Sequence, residues 1–162
     1  MEHAQWDRLV RGTDCPFDVP RQNSNEYWDL VAQLAVSSLY LAANQIYRGQ
    51  CLLILDIRHA TRPEELSKEE WGTFCADLYC AEAAIAKAVH PDHINVAALG
   101  NVIPHLHWHI IPRYRGDPRW GAPIWTTNLA DIPEARLADA DRAGLLQEIR
   151  NGLTTERDQL ER

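Results

Sequence analysis

Three histidines alternate with apolar residues in segment 105–111, which reads His-Leu-His-Trp-His-Ile-Ile. Alternate side chains of a β-strand point to opposite faces, and side chains on one face are about 7 Å apart. A strand here predicts that His105, His107 and His109 line one face, while the residues between them pack on the other. Such rings offer a nucleophile, donors for an anion and a proton source near physiological pH. The segment therefore predicts a strand that carries a reactive site.

The composition describes one acidic domain of ordinary size. The chain has 162 residues, is 46% hydrophobic and carries a formal net charge of −7. A domain of this length can bury a core. An acidic protein lacks the long-range attraction to phosphates that nucleic-acid and membrane-surface binders use, so we expect neither partner. A small anionic ligand is still compatible with this net charge, because Arg113, Arg115 and Arg119 supply positive charge just after the histidines.

The cysteine usage and the hydropathy pattern favour a reducing compartment. The four cysteines form no C-x-x-C pair and are expected to be free thiols. They are Cys15, Cys51, Cys75 and Cys80. No apolar stretch approaches the roughly 18 residues of a membrane span, and the N-terminus lacks the apolar segment of a signal peptide. We expect a cytoplasmic protein without a membrane partner.

The chain is predicted to form a single α+β domain over residues 1–162, with an antiparallel sheet built in the order hairpin, helix, hairpin. Ser67 and Glu70 form a capping box, and the apolar spacing behind it predicts a helix that ends near His90, before Pro91. The other predicted segments are a loosely structured arm over 1–25, strands over 37–43, 50–57 and 95–99, the histidine strand, an ordered loop over 114–133, and a C-terminal helix over 133–160.

The histidine strand fits the cleavage of a phosphoanhydride. That reaction needs an in-line nucleophile, donors for the charged phosphate oxygens and a proton for the leaving group. A neutral imidazole is a good nucleophile toward phosphorus, and most of it is neutral at pH 7 if its pKa is about 6.5. The central ring, His107, has a neighbouring ring on each side. The attacking ring needs its second nitrogen held, usually by a backbone carbonyl.

At these residues the chain resembles the histidine triad (HIT) superfamily of nucleotide hydrolases and transferases, and within it the bacterial branch that resembles diadenosine polyphosphate hydrolases. The family signature, His-x-His-x-His followed by two apolar residues, is complete at 105–111. The surroundings are similar too: Asn95 precedes a Gly100-Asn101 turn, and Pro112-Arg113 follows the histidines. The resemblance covers about residues 35–125.

The resemblance implies a HIT-like fold: a five-stranded antiparallel sheet with one long helix and a C-terminal helix. It also implies a homodimer and cleavage through a nucleotidyl-histidine intermediate. By this match His107 is the nucleophile, while His105 and His109 orient it, contact the α-phosphate and assist leaving-group protonation. The implied substrates are dinucleoside polyphosphates such as diadenosine tetraphosphate, or nucleoside phosphoramidates.

The resemblance also assigns substrate-binding positions. Asn101 lies where the family places a polar residue near the phosphate, and Asn44 lies where an Asn or Asp often holds the ribose. Asn95 and Gln50 complete the predicted set, with Gln50 at a position where many members carry a histidine. We expect no tightly bound cofactor, and whether Mg²⁺ accompanies the substrate phosphates is left open.

No structural metal is predicted. Some HIT proteins bind structural zinc through a cysteine pair near the N-terminus, but only Cys15 stands in that region here.

Two other functions are compatible with the same residues. Alternatively, the three histidines themselves could be metal ligands of a different enzyme, since His-x-His on a strand is a familiar ligand geometry. The third possibility is a regulatory protein that binds a nucleotide without turning it over.

Overall fold

The computed structural model describes residues 2–117, 119–126 and 133–160, with side chains as far as Glu156. The helices and strands are α1 (His3–Val10), β1 (Trp28–Gln33), β2 (Ser37–Ala42), β3 (Cys51–Leu55), α2 (Lys68–Val89), β4 (His93–Ala97), β5 (His107–Arg113) and α3 (Asp139–Leu160), with short 3₁₀ turns at Pro63–Glu65 and Ile124–Thr126. The strands form one antiparallel sheet in the order β1-β2-β3-β5-β4. The predicted α+β class and five-stranded sheet are confirmed.

Helix α2 begins and ends at the predicted signals. The Ser67 hydroxyl accepts a hydrogen bond from the Glu70 backbone N–H at 3.1 Å, and the Glu70 carboxylate accepts one from the Ser67 backbone N–H at 2.7 Å. This reciprocal pair satisfies two backbone donors of the first turn. His90 caps the C-terminus in the left-handed conformation, with φ 45°, and Pro91 then prevents a further turn.

The two faces of the sheet have different roles. On one face, α2 and α3 cover a core that includes Leu39, Leu53 and Ile110. The Trp108 ring packs against this core, as its alternation with the histidines predicts. On the other face, β5 pairs with β3 so that His107 lies opposite Ile54. The helices therefore support the sheet from one side and leave the histidine side to loops.

Gly152 is the point where α3 approaches α2 most tightly among the described glycines. A Cβ atom at this position would lie 3.0 Å from both Cα and Cβ of Ala84. We expect Gly152→Ala to lower the free energy of unfolding by about 1–3 kcal/mol, because the helices must separate to admit the methyl group. Chemical denaturation measures this change. Gly144→Ala is the matched control: it lies on the same helix, meets nothing within 4 Å and should stabilise the protein slightly. Equal effects of the two substitutions would contradict the close crossing.

The N-terminal arm is more ordered than its composition predicts. Residues 3–10 form α1, and Cys15 and Phe17 are buried against Tyr40 and Ile54 on the histidine side of the sheet. The prediction of a loosely structured arm over 1–25 was based on its glycine and prolines. Burial of two apolar side chains on the sheet overrides those local signals. The arm thus covers part of the face that carries His107.

Several element boundaries differ from the sequence prediction. Strand β4 spans His93–Ala97, two residues earlier than predicted, and α3 begins at Asp139 rather than near Pro133. Residues 133–138 stay outside the helix, and there the Gln45 backbone N–H donates to the Ala135 carbonyl at 2.7 Å. That pairing replaces the first helical turn that Pro133 would otherwise start. The predicted loop over 114–133 lies partly outside the described residues. No helix in the described ranges has the length and apolar character of a membrane span.

Candidate active site

Only two of the three histidines lie on the strand. β5 begins at His107, while the backbone N–H of His105 donates to the Ile103 carbonyl at 2.9 Å in the preceding turn. The prediction that all three rings share one face of a strand is therefore wrong for His105, because Pro104 and this turn delay the start of the strand. The His105 ring is buried, with Nε2 2.8 Å from the Leu55 carbonyl. Its Nδ1 faces the N-terminal arm instead, 3.2 Å from an oxygen of Asp18.

His107 has the arrangement that a nucleophile requires. Its Nδ1 lies 2.6 Å from the backbone carbonyl oxygen of His105, so Nδ1 carries the hydrogen and donates it. Nε2 then holds the lone pair, and the contacts within the described chain give it no hydrogen-bond partner. Burial holds the pKa of His107 below its ordinary value, so the ring is neutral at pH 7. His107 is only 7% exposed.

His109 lies beside the nucleophile and connects it to the loop after β5. The centroids of the His107 and His109 rings are 5.0 Å apart, and the Trp125 ring lies 5.5 Å from His109 on the other side. Burial, followed by the neighbouring His107, lowers the pKa of His109 to about 4. A bound phosphate would raise this pKa, since a nearby negative charge favours the protonated ring. His109 is therefore placed to hold a proton once an anion is present.

Two clefts in the described part of the chain lie near the histidines, although none of the three triad rings lines either of them. One, of about 870 Å³, lies under the N-terminal arm and includes Phe17, Arg21 and Tyr40. The Phe17 ring is also 5.4 Å from His107, so this cleft begins beside the nucleophile. The other cleft, of about 750 Å³, lies between β4 and the loop after β5 and includes Trp120 and Trp125. Phe17 and Trp125 thus each line one cleft and contact one ring, His107 and His109 respectively.

Two of the predicted substrate-binding residues, Asn44 and Asn95, use their side-chain oxygens to hold neighbouring segments of the fold. The Asn44 side-chain oxygen accepts hydrogen bonds from the backbone N–H groups of Ile46 and Ala135, each at 3.2 Å. The Asn95 side-chain oxygen accepts one from Arg113 at 2.6 Å, although Asn95 also borders the tryptophan cleft. To bind a ribose through its side-chain oxygen, Asn44 would have to give up both of these hydrogen bonds. The contacts of these two side chains are thus structural.

The remaining predicted positions differ in their surroundings. Asn101 is exposed in the turn before the histidines. Gln50 is half-buried immediately before β3, and its backbone carbonyl accepts hydrogen bonds from Ala42 and Gln45. By strand alternation its side chain lies on the same face as Leu52 and Ile54. Roles for Asn101 and Gln50 in substrate binding stay predictions.

Arg113 is paired with an acid and does not face the histidines as a free cation. Nε and Nη2 of Arg113 donate to the two oxygens of Asp117 at 2.8 Å and 3.1 Å. Nη1 and Nη2 also donate to the carbonyls of Ala122 and Arg119. The guanidinium holds the pKa of Asp117 below its usual range. Arg113 therefore fixes the loop that carries Trp120 and Trp125.

A group of residues from distant segments surrounds the outer side of His105. Cys15, Asp18, His59 and His105 each have one potential metal-ligand atom within 4.8 Å of the others. Within the described chain this group contains neither His107 nor His109, so the three histidines of the signature do not converge on one ion. The sequence does not show that Asp18 and His59 lie together, because 41 residues separate them in the chain. All four cysteines are free thiols, as predicted.

Comparisons with known proteins agree with this arrangement. A family model described as HIT domain matches residues 25–116. The chain is 33% identical over 87 residues to adenylylsulfatase HINT3 of Arabidopsis thaliana. The matched segment covers 51% of this chain and 44% of that protein. It is 31% identical over 88 residues to adenosine 5'-monophosphoramidase hnt1 of Schizosaccharomyces pombe, covering 51% of this chain and 62% of that protein. The chain thus spans about half the length of the curated relatives it matches.

A solved structure extends the likeness to the fold. The histidine triad protein blr8122 of Bradyrhizobium japonicum superposes with a TM-score of 0.72 at 21% identity, covering 83% of this chain and 97% of that one. The domain match covers more than half of the chain and includes the complete histidine signature at its C-terminal end. By this match and the shared fold, the chain belongs to the HIT domain family.

Proposed function

We propose that this protein is a nucleotide hydrolase or transferase that uses His107 as its nucleophile. The supporting observation is the 2.6 Å bond from His107 Nδ1 to the His105 carbonyl, which leaves the Nε2 lone pair for attack. Nε2 forms a bond to the α-phosphorus as the bond to the leaving group breaks, and the leaving group takes a proton. Water then cleaves the phosphorus–nitrogen bond, which releases the nucleoside monophosphate and restores His107.

The proposed substrates are dinucleoside polyphosphates such as diadenosine tetraphosphate, or nucleoside phosphoramidates. The names of the two relatives, an adenylylsulfatase and an adenosine 5'-monophosphoramidase, support attack at a nucleotide phosphorus with different leaving groups. In this proposal, the clefts lined by Phe17 and Trp125 hold the nucleoside and the leaving group. His105 positions the nucleophile through its carbonyl, and His109 contacts the phosphate and assists proton transfer. The proposal leaves open whether Mg²⁺ accompanies a polyphosphate substrate, and the screen below tests it.

A turnover screen tests the proposed function. Diadenosine triphosphate, diadenosine tetraphosphate and adenosine phosphoramidate are incubated with the full chain, with and without Mg²⁺, and products are separated by chromatography. We expect adenosine monophosphate from at least one substrate, and no product with a His107 variant. Tight binding of adenosine monophosphate without turnover on any of the three would contradict the proposal and favour a regulatory nucleotide-binding protein.

The proposal includes a homodimer. Its physical support is that β4 lies at the edge of the sheet, where the outer backbone groups of the strand can pair with a second copy. Light scattering coupled to size exclusion should give about twice the mass of 18.5 kDa. A monomeric mass at micromolar concentration would contradict the dimer and leave the proposed chemistry intact. The cytoplasmic location stays a prediction from the sequence.

A further inference from the structure

The cleft between β4 and the loop after β5 begins beside His109. In the register of these strands Ala97 lies directly opposite His109, so both side chains are on the histidine face of the sheet. The Trp125 ring also contacts His109, with the ring centroids 5.5 Å apart. Ala97 and Trp125 both line the cleft. The cleft therefore adjoins the candidate active site on the side of His109.

We propose that this cleft binds a planar aromatic group on the leaving half of the substrate, and that Trp125 and Ala97 select for it. This assignment rests on the proposed function, in which His107 attacks the α-phosphorus. Two kinds of substrate supply such a ring: a dinucleoside polyphosphate through its second nucleoside, and a phosphoramidate through an aromatic amine. A leaving group without a ring, such as ammonia or sulfate, would leave the cleft unfilled.

The walls of the cleft are mainly apolar and aromatic. Trp120 and Trp125 are 47% and 36% exposed, so each leaves part of its ring uncovered. The other apolar side chains that line the cleft are Val96, Ile111, Ala122, Pro123 and Ile124. A planar ring that stacks here removes apolar surface from water on both partners. Every nucleobase has such a face, and stacking on aromatic side chains tolerates differences between bases.

The charged side chains of the cleft lie at the end away from His109. Arg113 donates to both oxygens of Asp117, and it lies opposite His93 in the strand register. His93 is four residues along β4 from the position opposite His109, which is about 13 Å at the usual rise of a strand. Asp92 precedes β4 at the same end. Among the described residues, no unpaired cation lines the part beside His109, so this part suits an uncharged ring better than a sulfate or pyrophosphate.

The loop that carries the two tryptophans is held in place before a ligand binds. Arg113 donates to the carbonyls of Ala122 and Arg119. Arg119 in turn donates to the carbonyl of Ile124, the residue before Trp125. An aromatic surface that is already positioned loses little conformational entropy when a ligand binds. The loop therefore presents its exposed rings as a preformed binding surface.

A polar group at the edge of the cleft is oriented by the same arginine. The Asn95 side-chain oxygen accepts a hydrogen bond from Arg113, which leaves the amide nitrogen of Asn95 as the donor. Asn95 lines the cleft two residues before Ala97 on the same face of the sheet. A nucleobase has ring nitrogens and carbonyl oxygens that can accept this hydrogen bond, whereas a benzene ring has neither. We therefore expect a nucleobase to bind more tightly than a hydrocarbon ring.

Matched substrate pairs test the role of the ring. Diadenosine tetraphosphate is compared with adenosine 5'-tetraphosphate, and the adenosine phosphoramidate of benzylamine with that of methylamine. Within each pair the leaving groups differ mainly by the aromatic group. We expect wild-type kcat/KM to be about 5- to 150-fold higher for the member with the ring in at least one pair, which is the contribution of base stacking on an aromatic side chain. The pair with the larger preference identifies the source of the ring.

Substitutions in the cleft show whether this preference arises there. Trp125→Ala should bring the ratio of kcat/KM within the preferred pair close to one, and Trp125→Phe, which keeps a ring, should retain part of the preference. Ala97→Leu should also lower the ratio, because the added side chain fills the floor of the cleft opposite His109. Tyr79→Ala is the matched control. It removes an exposed aromatic ring of α2 outside both clefts and should leave the ratio unchanged.

Calorimetry with His107→Ala separates binding of the ring from turnover. This variant keeps the cleft, so it should bind diadenosine tetraphosphate about 5- to 150-fold more tightly than adenosine 5'-tetraphosphate. Adding Trp125→Ala should remove the difference. If no substrate is turned over by the wild type, this ring-dependent binding would still support the assignment of the cleft, while the proposed catalysis would fail.

Three results would overturn the inference and leave the nucleophile role of His107 standing. They are equal wild-type kcat/KM within both pairs, a ratio that survives both Trp125→Ala and Ala97→Leu, and equal affinities of His107→Ala for the two tetraphosphates. An unchanged ratio in Trp125→Ala together with a changed mass in light scattering would show that a second copy of the chain, and not the substrate, covers the cleft.

Discussion

Replacement of His107 by alanine should give a folded protein whose turnover is lower by roughly 10⁴- to 10⁶-fold, the range seen when an enzyme loses its covalent nucleophile. The other parts of the site remain, so substrate binding should change far less than turnover. The reason is the position of Nε2, since Nδ1 is occupied by the His105 carbonyl. Steady-state kinetics on the substrate that the screen identifies measures kcat and KM separately.

Intact mass spectrometry distinguishes a nucleophile from a structural histidine. Rapid mixing of wild-type protein with substrate should produce a mass increase of one nucleotide, and the adduct should map to His107. His90→Asn is the matched control, because it removes a histidine at the end of α2 and keeps a residue that tolerates the left-handed conformation. It should retain both the adduct and full turnover. Turnover near wild type in His107→Ala, or an adduct on another residue, would contradict the mechanism.

The parts of the fold that were predictable depend on local patterns. The capping box of Ser67 and Glu70 fixes the start of α2 through contacts three residues apart. In the same way, alternation in segment 107–111 places Trp108 against the helices and His107 on the opposite face of the sheet. Each of these features needs only neighbours in the chain, so a single sequence contains the information. The family signature adds the role of His107, which alternation alone does not supply.

The parts that were not predictable depend on contacts between distant segments. The order of the arm comes from burial of Cys15 and Phe17 against β2 and β3, and composition does not reveal a docking surface. His105 lies in the turn before the strand, and its Nδ1 contacts Asp18, which is far away in sequence. The first triad position is thus determined by tertiary packing as much as by the spacing of the signature. A spacing rule describes the three residues as equivalent, whereas the structure gives His105 a different environment.

Arg113→Ala should lower the free energy of unfolding by about 3–5 kcal/mol, the usual cost of breaking a buried ion pair from one side. The Arg113 and Asp117 side chains are 4% and 5% exposed, so the remaining carboxylate would be buried without its partner. The carbonyls of Arg119 and Ala122 would also lose donors. Chemical denaturation at pH 7 measures the loss, and Arg115→Ala is the matched control. Arg115 is 81% exposed in its pair with Asp92, and its removal should cost less than about 1 kcal/mol.

The difference in free energy of unfolding between wild type and Arg113→Ala should depend on pH, which gives an independent check. The pKa of Asp117 is lowered, first by its hydrogen bonds to Arg113, so the pair stabilises the fold above the unfolded-state pKa of about 4. That stability is lost as the pH falls through the lower folded-state pKa. The free energies of unfolding of wild type and Arg113→Ala should therefore become more similar as the pH falls below about 4. A double variant, Arg113→Met with Asp117→Leu, should recover part of the stability, because neither charge is then left buried alone.

The same variants decide between two roles for Arg113, which are fixing the loop and binding substrate phosphate. If Arg113 fixes the loop, Arg113→Ala lowers stability, and any loss of turnover should be partly restored in the double variant. If it binds substrate phosphate, turnover should fall in both variants, since neither has a cation at this position. The structural role would be refuted if Arg113→Ala had the same free energy of unfolding as Arg115→Ala and a much larger KM than the wild type. The bidentate pairing with Asp117 and the two loop carbonyls make the first outcome the expected one.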